Sequence, residues 1–278
     1  MRLAYQTNTW GGVVGHPVGV TSIKDLYYLA HGSTADALRD IAHAGYDGVE
    51  LFDGNLAEYT ESADGLERLL DEHGLVLVAV YSGANFIFTD ILDQELWRID
   101  RAAWLGARSG ARHLVVGGGA QTLQPPGDSE YERLAAALDR VVDIAERHGL
   151  SACFHPHLTT IVETAEQLDR LLPHTSISLC PDTGHVLLAG DDPATLIRAH
   201  GDRIPYVHLK DADLQTGAFV PLGTGALDLP GVMQALAEIG YDGWITVELD
   251  AWADPAEGAR INRHALEPWS STGAAQAR

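Results

Sequence analysis

The sequence predicts a closed (β/α)8 barrel, and three observations lead to it. Eight short β-rich apolar runs alternate with longer stretches whose apolar residues recur every three to four positions. Loops after the apolar runs are long (residues 9–32, 117–128 and 211–228), whereas those before them are short. That asymmetry marks the carboxyl ends of barrel strands as the functional face. A near-repeat, Gly45-Tyr46-Asp47-Gly48 and Gly240-Tyr241-Asp242-Gly243, stands both times between a helical stretch and an apolar run that includes a glutamate. An open doubly wound sheet is the architectural alternative, but it usually shows a Gly-rich phosphate turn after its first strand. Gly11-Gly12-Val13-Val14-Gly15 follows the first run here, yet no helical periodicity starts behind it.

In chain order the expected strands cover residues 3–7, 48–52, 75–81, 113–116, 151–154, 176–180, 204–209 and 244–249. Between them lie amphipathic segments such as Ala35-Leu38-Ile41-Ala42 and Leu134-Leu138-Val141-Val142-Ala145. Ser33 reads as the cap of the first helix, and Asp192-Pro193 as a cap followed by proline at the first helical position. His73-Gly74-Leu75, His148-Gly149-Leu150 and Ile239-Gly240-Tyr241 each stop a helix and start a strand. No linker interrupts the pattern, so residues 1–268 are expected to form one barrel and residues 269–278 a frayed tail.

With 278 residues, 46% of them hydrophobic and 21% charged, the chain has the balance of a globular protein with a sizeable core. Two cysteines, Cys153 and Cys180, exclude a disulfide framework and suit a reducing compartment. The amino terminus turns polar at once, and the most apolar stretch (75–81) is far short of the ~20 residues that span a bilayer. A net charge of −21 repels phosphate backbones and anionic lipid, so no nucleic-acid or membrane partner is expected. A cytoplasmic location follows as the expectation. A homodimer is expected on base rates alone.

The ends of the last four strands carry the chemistry. They read Cys153-Phe154-His155-Pro156-His157, Cys180-Pro181-Asp182-Thr183-Gly184-His185, His208-Leu209-Lys210-Asp211 and Glu248-Leu249-Asp250. Residues two apart share a strand face, so His155 with His157, and His208 with Lys210, could both point inward. Imidazoles and carboxylates gathered on one rim are costly unpaired, and a divalent cation would neutralise them. Mixed nitrogen and oxygen donors suit Mn²⁺ first, with Co²⁺, Mg²⁺, Fe²⁺, Ni²⁺ or Zn²⁺ also in range, better than Ca²⁺. Taken singly, each residue has a plainer reading: a satisfied core histidine, a salt-bridged Glu248, a helix-capping Asp182. Asn8, Glu50 and Ser82 lie at the ends of earlier strands and read equally as substrate contacts or turn residues. The loop 9–32, with Trp10, His16, Tyr27 and Tyr28, is long enough to be a lid and equally a packed surface excursion. Gly-x-Ser-x-Gly and P-loop motifs are absent, and both cysteines read as core residues rather than nucleophiles.

These residues resemble the xylose-isomerase-like TIM-barrel superfamily of sugar isomerases and epimerases, and most closely its inosose-dehydratase-like branch. The resemblance runs from Leu3 to about Leu266. It rests on His155-Pro156-His157-Leu158-Thr159-Thr160, Asp182-Thr183-Gly184-His185, residues 203–211 and residues 240–248. It implies one divalent metal ion held by His155, Asp182, His208 and Glu248, with a set using His157 in place of His155 as the alternative. Two departures stand out. The ketose epimerases carry a glutamate where His155 stands, and the Asn-Asp-Asp stretch expected of inosose dehydratases is missing after Trp10.

Such a site would polarise a ketone and ease removal of the neighbouring proton, giving an enediolate. Glu248 and His157 are the expected proton-transfer groups, with His185, Lys210, Glu50, Asn8 and Trp10 around the substrate. The first expectation is a keto-sugar isomerase or epimerase. The alternative is an inosose-dehydratase-like or other β-eliminating lyase on a keto-cyclitol or 3-keto-glycoside. An apurinic endonuclease on the same barrel is disfavoured by the charge, and a non-catalytic sugar-binding subunit by the His/Asp/His/Glu set.

Overall fold

The alternation is realised in the computed structural model, which describes residues 1–11, 28–60, 63–121 and 123–270. The strands are β1 (Arg2–Gln6), β2 (Gly48–Phe52), β3 (Val76–Ala84), β4 (His113–Gly118), β5 (Ser151–His155), β6 (Ser178–Leu179), β7 (Tyr206–Leu209), β8 (Asp211–Asp213), β9 (Ala218–Val220) and β10 (Trp244–Val247). Eight of them pair in parallel in the order β6-β5-β4-β3-β2-β1-β10-β7, and β8 and β9 form a separate antiparallel hairpin. The sheet is drawn into a nearly closed barrel by a parallel bridge between Asp182 and His208. At this seam the His208 amide donates to Pro181 O (3.0 Å). The Thr183 hydroxyl accepts from Lys210 N (2.8 Å) and donates to Lys210 O (2.7 Å). A side chain thus does what a longer β6 ladder would do.

The helices are α1 (Thr34–Ala44), α2 (Asp53–Ala57), α3 (Ala63–His73), α4 (Leu92–Arg108), α5 (Asp128–Arg147), α6 (Ala165–Leu171), α7 (Thr183–Leu188), α8 (Pro193–His200), α9 (Leu229–Glu238), α10 (Pro255–Ala265) and α11 (Glu267–Ser270). Their starts follow local chemistry. Ser33 accepts from Asp36 N (3.1 Å), and Asp192 accepts from Ala194 N and Thr195 N (both 3.1 Å) with Pro193 at the first helical position. Gly45 and Gly240 take left-handed φ values of 88° and 69°. Each ends its helix without the Cβ clash another residue would meet, and β2 and β10 begin a few residues later.

Strand periodicity sorts the core. Leu114, Val116, Phe154 and Leu179 pack outward with Leu138 and Val141 of α5, while Val115, Cys153, Cys180 and Tyr206 form a second cluster. Burial of each large side chain contributes about 1.5–3 kcal/mol. Both cysteines are buried and free, as expected. Four boundaries differ from the sequence reading. The expected strand 176–180 shrinks to the two residues of β6, because Cys180-Pro181 turns towards α7. Residues 7–9 form a 3-10 turn rather than the end of β1. The loop 211–228 contains the β8–β9 hairpin. Glu267–Ser270 is helical with Trp269 packed on the core, so ordered chain extends past residue 268. The Gly12–Gly15 turn, His16, Tyr27 and residues 271–278 lie outside the described residues.

The hairpin that follows β7 is tied to the barrel by one carboxylate. Asp211, wholly buried, accepts from Ala212 N (2.8 Å) and Leu227 N (2.9 Å) with Oδ1, and from Gly223 N (2.9 Å) and Gly225 N (3.0 Å) with Oδ2. Removing it leaves several buried donors unsatisfied, at about 1–3 kcal/mol each before relaxation. Asp211→Ala should therefore lose about 3 kcal/mol or more of stability in urea unfolding. A loss under about 0.5 kcal/mol, the range of ordinary surface substitutions, would show that the loop holds itself.

Candidate active site

The four donors expected from the strand ends are brought together. His155 closes β5 on the inner face, His208 lies in β7, Glu248 follows β10, and Asp182 sits just after β6. One donor atom from each of His155, Asp182, His208 and Glu248 falls within 4.8 Å of the others. Asp182 performs two tasks with two oxygens. Its Oδ1 caps α7 by accepting from Gly184 N (2.8 Å) and His185 N (2.9 Å), while Oδ2 has no partner. Both ring nitrogens of His155, His208 Nδ1 and Glu248 Oε2 are likewise buried without hydrogen-bond partners. His208 Nδ1 and Glu248 Oε2 are 2.7 Å apart, off hydrogen-bond geometry. A buried polar atom left unpaired costs about 1–3 kcal/mol, and a knot of such atoms with mixed nitrogen and oxygen donors is what a divalent cation requires. The alternative set with His157 is not assembled: among the described residues His157 groups with His155 and His185 instead.

A second layer orients these groups. His208 Nε2 is 3.0 Å from Glu50 Oε2, and Gln6 Nε2 donates to Glu50 Oε1 (2.6 Å). This leaves Nδ1 of His208 as the donor facing the cluster, in the carboxylate–histidine arrangement that fixes ring orientation at metal sites. Burial would lower the His208 imidazole, but Glu50 first, and Glu248 with it, push it up to about 10. Burial, and next the charge of His208, hold His155 well below its usual range. Lys210 is fully buried, with Nζ 2.7 Å from Glu248 Oε1 and 2.6 Å from Asp250 Oδ1. Asn8 Nδ2 donates to the same two oxygens (3.3 and 3.2 Å).

A cavity of about 290 Å³ opens above the cluster, lined by Gln6, Asn8, Tyr28, Phe52, Tyr81, His157, Glu248 and Asp250. Tyr28, Phe52 and Tyr81 pack ring on ring at 4.9–5.7 Å and form its apolar wall. Gly117 makes room for this wall, since a Cβ there would strike the Tyr81 hydroxyl. His157 donates Nδ1–H to Leu158 O (2.6 Å), so its Nε2 carries the lone pair, and burial pushes its imidazole down to about 4. Of the expected substrate contacts, Asn8 reaches the cavity. Lys210 and His185 lie beneath it, His185 with both nitrogens unpartnered and its ring 3.8 Å from that of His157. Glu50 stands behind His208, wholly buried, as a positioning group. Trp10 is directed away: its Nε1 donates to Asp40 (3.1 Å) and its ring meets Tyr5. Sequence reasoning passed over Asp250, although it lies two residues after Glu248 on the same side. It also missed Gln6 and the aromatic wall, which residue spacing does not reveal.

The fold and this rim define a (β/α)8-barrel protein with a cluster of metal-ligand side chains at the carboxyl mouth. Residues 38–269 match the family described as xylose isomerase-like TIM barrel, and the chain belongs to that family. It is 31% identical over 274 residues to an inosose dehydratase of Lacticaseibacillus casei, covering 87% of this chain and 89% of the relative. Among solved structures it resembles the IOLI protein with a bound zinc atom (TM-score 0.74, 21% identity, 96% of each chain). It also resembles L-ribulose 3-epimerase (TM-score 0.74, 20% identity, 95% of this chain and 93% of that one).

Lys210 sets the charge balance of the mouth. Burial alone would raise the Glu248 carboxyl; the Lys210 ammonium, followed by His208, reverses this and holds it well below the usual carboxylate range. A carboxylate lowered in this way contributes stability that is present above the ordinary glutamate value of 4.5 and is lost as the pH falls through its folded value. Lys210→Met should therefore cost about 3–5 kcal/mol at neutral pH in the metal-free protein. The deficit should shrink as acid protonates the orphaned carboxylates. Urea titrations across pH would reveal it, and a deficit independent of pH would exclude this role.

Proposed function

We propose that this chain is a divalent-metal-dependent dehydratase acting on a keto-cyclitol of the inosose type. The observation that carries the reading is the knot of unpartnered donors on His155, Asp182, His208 and Glu248 beneath a cavity that also exposes the free base His157. The inosose dehydratase relative, matched over most of both chains, supports a lyase over the isomerase or epimerase expected first. So does the chemistry of the fifth strand. A paired-glutamate epimerisation needs a second carboxylate where this chain has His155.

The ion held by these four residues supplies Lewis-acid polarisation of the substrate ketone. His157 takes the proton from the adjacent carbon: it is neutral at physiological pH, and its Nδ1–H bond to Leu158 O keeps the accepting lone pair on Nε2. As that C–H bond breaks, a carbon–carbon double bond forms and the β-hydroxyl departs, taking a proton to leave as water. Asp250 lines the cavity, and burial, offset in part by Lys210, raises its carboxyl to about 6; it is the donor of that proton. Tyr28, Phe52 and Tyr81 cover the apolar face of the ring and exclude water.

Two measurements test the reading. Asp182→Asn keeps an oxygen to cap α7 but removes the charge at the cluster. Elemental analysis after dialysis against Mn²⁺, Co²⁺ or Zn²⁺ should show most of the bound metal lost with the circular dichroism unchanged. Full occupancy in that variant would remove Asp182 from the ligand set. Incubation of the metal-loaded enzyme with inososes, ketohexoses and 3-keto-glucosides in deuterated water should give loss of one water from an inosose. His157→Ala should slow solvent exchange at the carbon next to the ketone by about 10²-fold or more. Isomers of unchanged composition, without dehydration, would return the reading to an epimerase.

A further inference from the structure

The outer face of α4 carries the largest exposed aromatic groups among the described residues that belong to a regular helix. Trp97 is 63% exposed and Trp104 39%, seven residues apart and therefore on one side of the helix. Phe88 and Ile91, also exposed, continue the apolar strip beyond the amino end of α4. Single exposed apolar side chains are ordinary, whereas an aligned series on one helix marks a contact surface.

Charge selects the occupant. The chain as a whole is strongly acidic, and two copies repel each other over most of their surface. This face is locally balanced. The exposed Asp93 and the half-exposed Asp100 are paired with Arg140 and Arg147 of the neighbouring α5 (2.8 and 3.1 Å), and Arg108 lies over the Trp104 ring (4.6 Å). The order of these groups is also self-complementary. Asp93 and Trp97 precede the midpoint between Asp100 and Arg101 by the same intervals at which Arg108 and Trp104 follow it. A two-fold axis through that midpoint, with the helices antiparallel, sets Trp97 against the partner copy's Trp104 and Asp93 against its Arg108. An isologous contact requires such reciprocity. A 17-residue helix is about 25 Å long, enough to anchor an interface of the usual ~800 Å² per partner.

We propose that α4 is the interface of a two-fold homodimer of this chain, with Trp97 and Trp104 at its centre and Asp93 and Arg108 setting the antiparallel register. This inference does not depend on the reaction the barrel mouth performs.

Sedimentation velocity on the full chain at micromolar concentration should show a dimer. Trp97→Glu and Trp104→Glu should each weaken dimerisation by at least ~30-fold, the loss expected for a central aromatic anchor. Circular dichroism and Tm should stay near wild type because both positions are exposed. Asp93→Arg should weaken the dimer by opposing two arginines, and Asp93→Arg combined with Arg108→Asp should restore it. A monomeric wild-type chain would overturn the proposal, as would a dimer indifferent to both tryptophan substitutions. A charge reversal that the second substitution fails to rescue would overturn the antiparallel register.

Discussion

A single buried ammonium governs the mouth of this barrel. Lys210 has no water to solvate it, and its three donors are answered by carboxylates of Glu248 and Asp250 that would themselves be costly to bury alone. The arrangement has consequences on every side. It keeps Glu248 ionised next to His208, holds Asp250 at the cavity, and gives Asn8 a fixed pair of acceptors. The Lys210 backbone closes the barrel through Thr183, so the residue that sets the charge of the site also joins the last strands of the cylinder. Its side chain lies over Phe219 of the β8–β9 hairpin (3.9 Å to the ring centre), which connects the loop to the same charge.

Much of this was legible in the residues. Alternation of apolar runs with helical periodicity, the short loops before strands, and the caps at Ser33 and Asp192 gave the barrel, because each is a local signal. The donor set was legible because strand ends of a barrel converge on one rim, whatever the details of packing. What could not be read was tertiary. Glu50 looks like a substrate contact at the end of β2, yet it points at His208, a neighbour far away in sequence. Trp10 looks like a lid residue, and only the positions of Asp40 and Tyr5 show that it is a packing residue. The truncation of β6 depends on Pro181 and on a threonine substituting for backbone, which no propensity scale records.

Asp182 shows why plain and functional readings of one residue need not compete. Helix capping fixes its carboxylate through one oxygen, and that fixation is what leaves the other aimed at the cluster. The same economy appears at His157, where a bond to the neighbouring carbonyl decides which nitrogen faces the cavity. Local backbone geometry, rather than long-range packing, thus presets the tautomer and the orientation of the groups at the rim.

Around the cylinder the ladders are unequal. β3 and β4 register six residue pairs, whereas β6 and β7 are joined by one bridge and a hydroxyl. Backbone protection is therefore lopsided: the amide hydrogens of His208 and Lys210 exchange with solvent through brief local openings, while those of β3 and β4 wait for the whole domain to unfold. Asp182 and His208 flank that weak line. Each opening parts two of the four donors and leaves the remaining ladders intact, so the mouth can be dismantled and rebuilt within a barrel that stays folded.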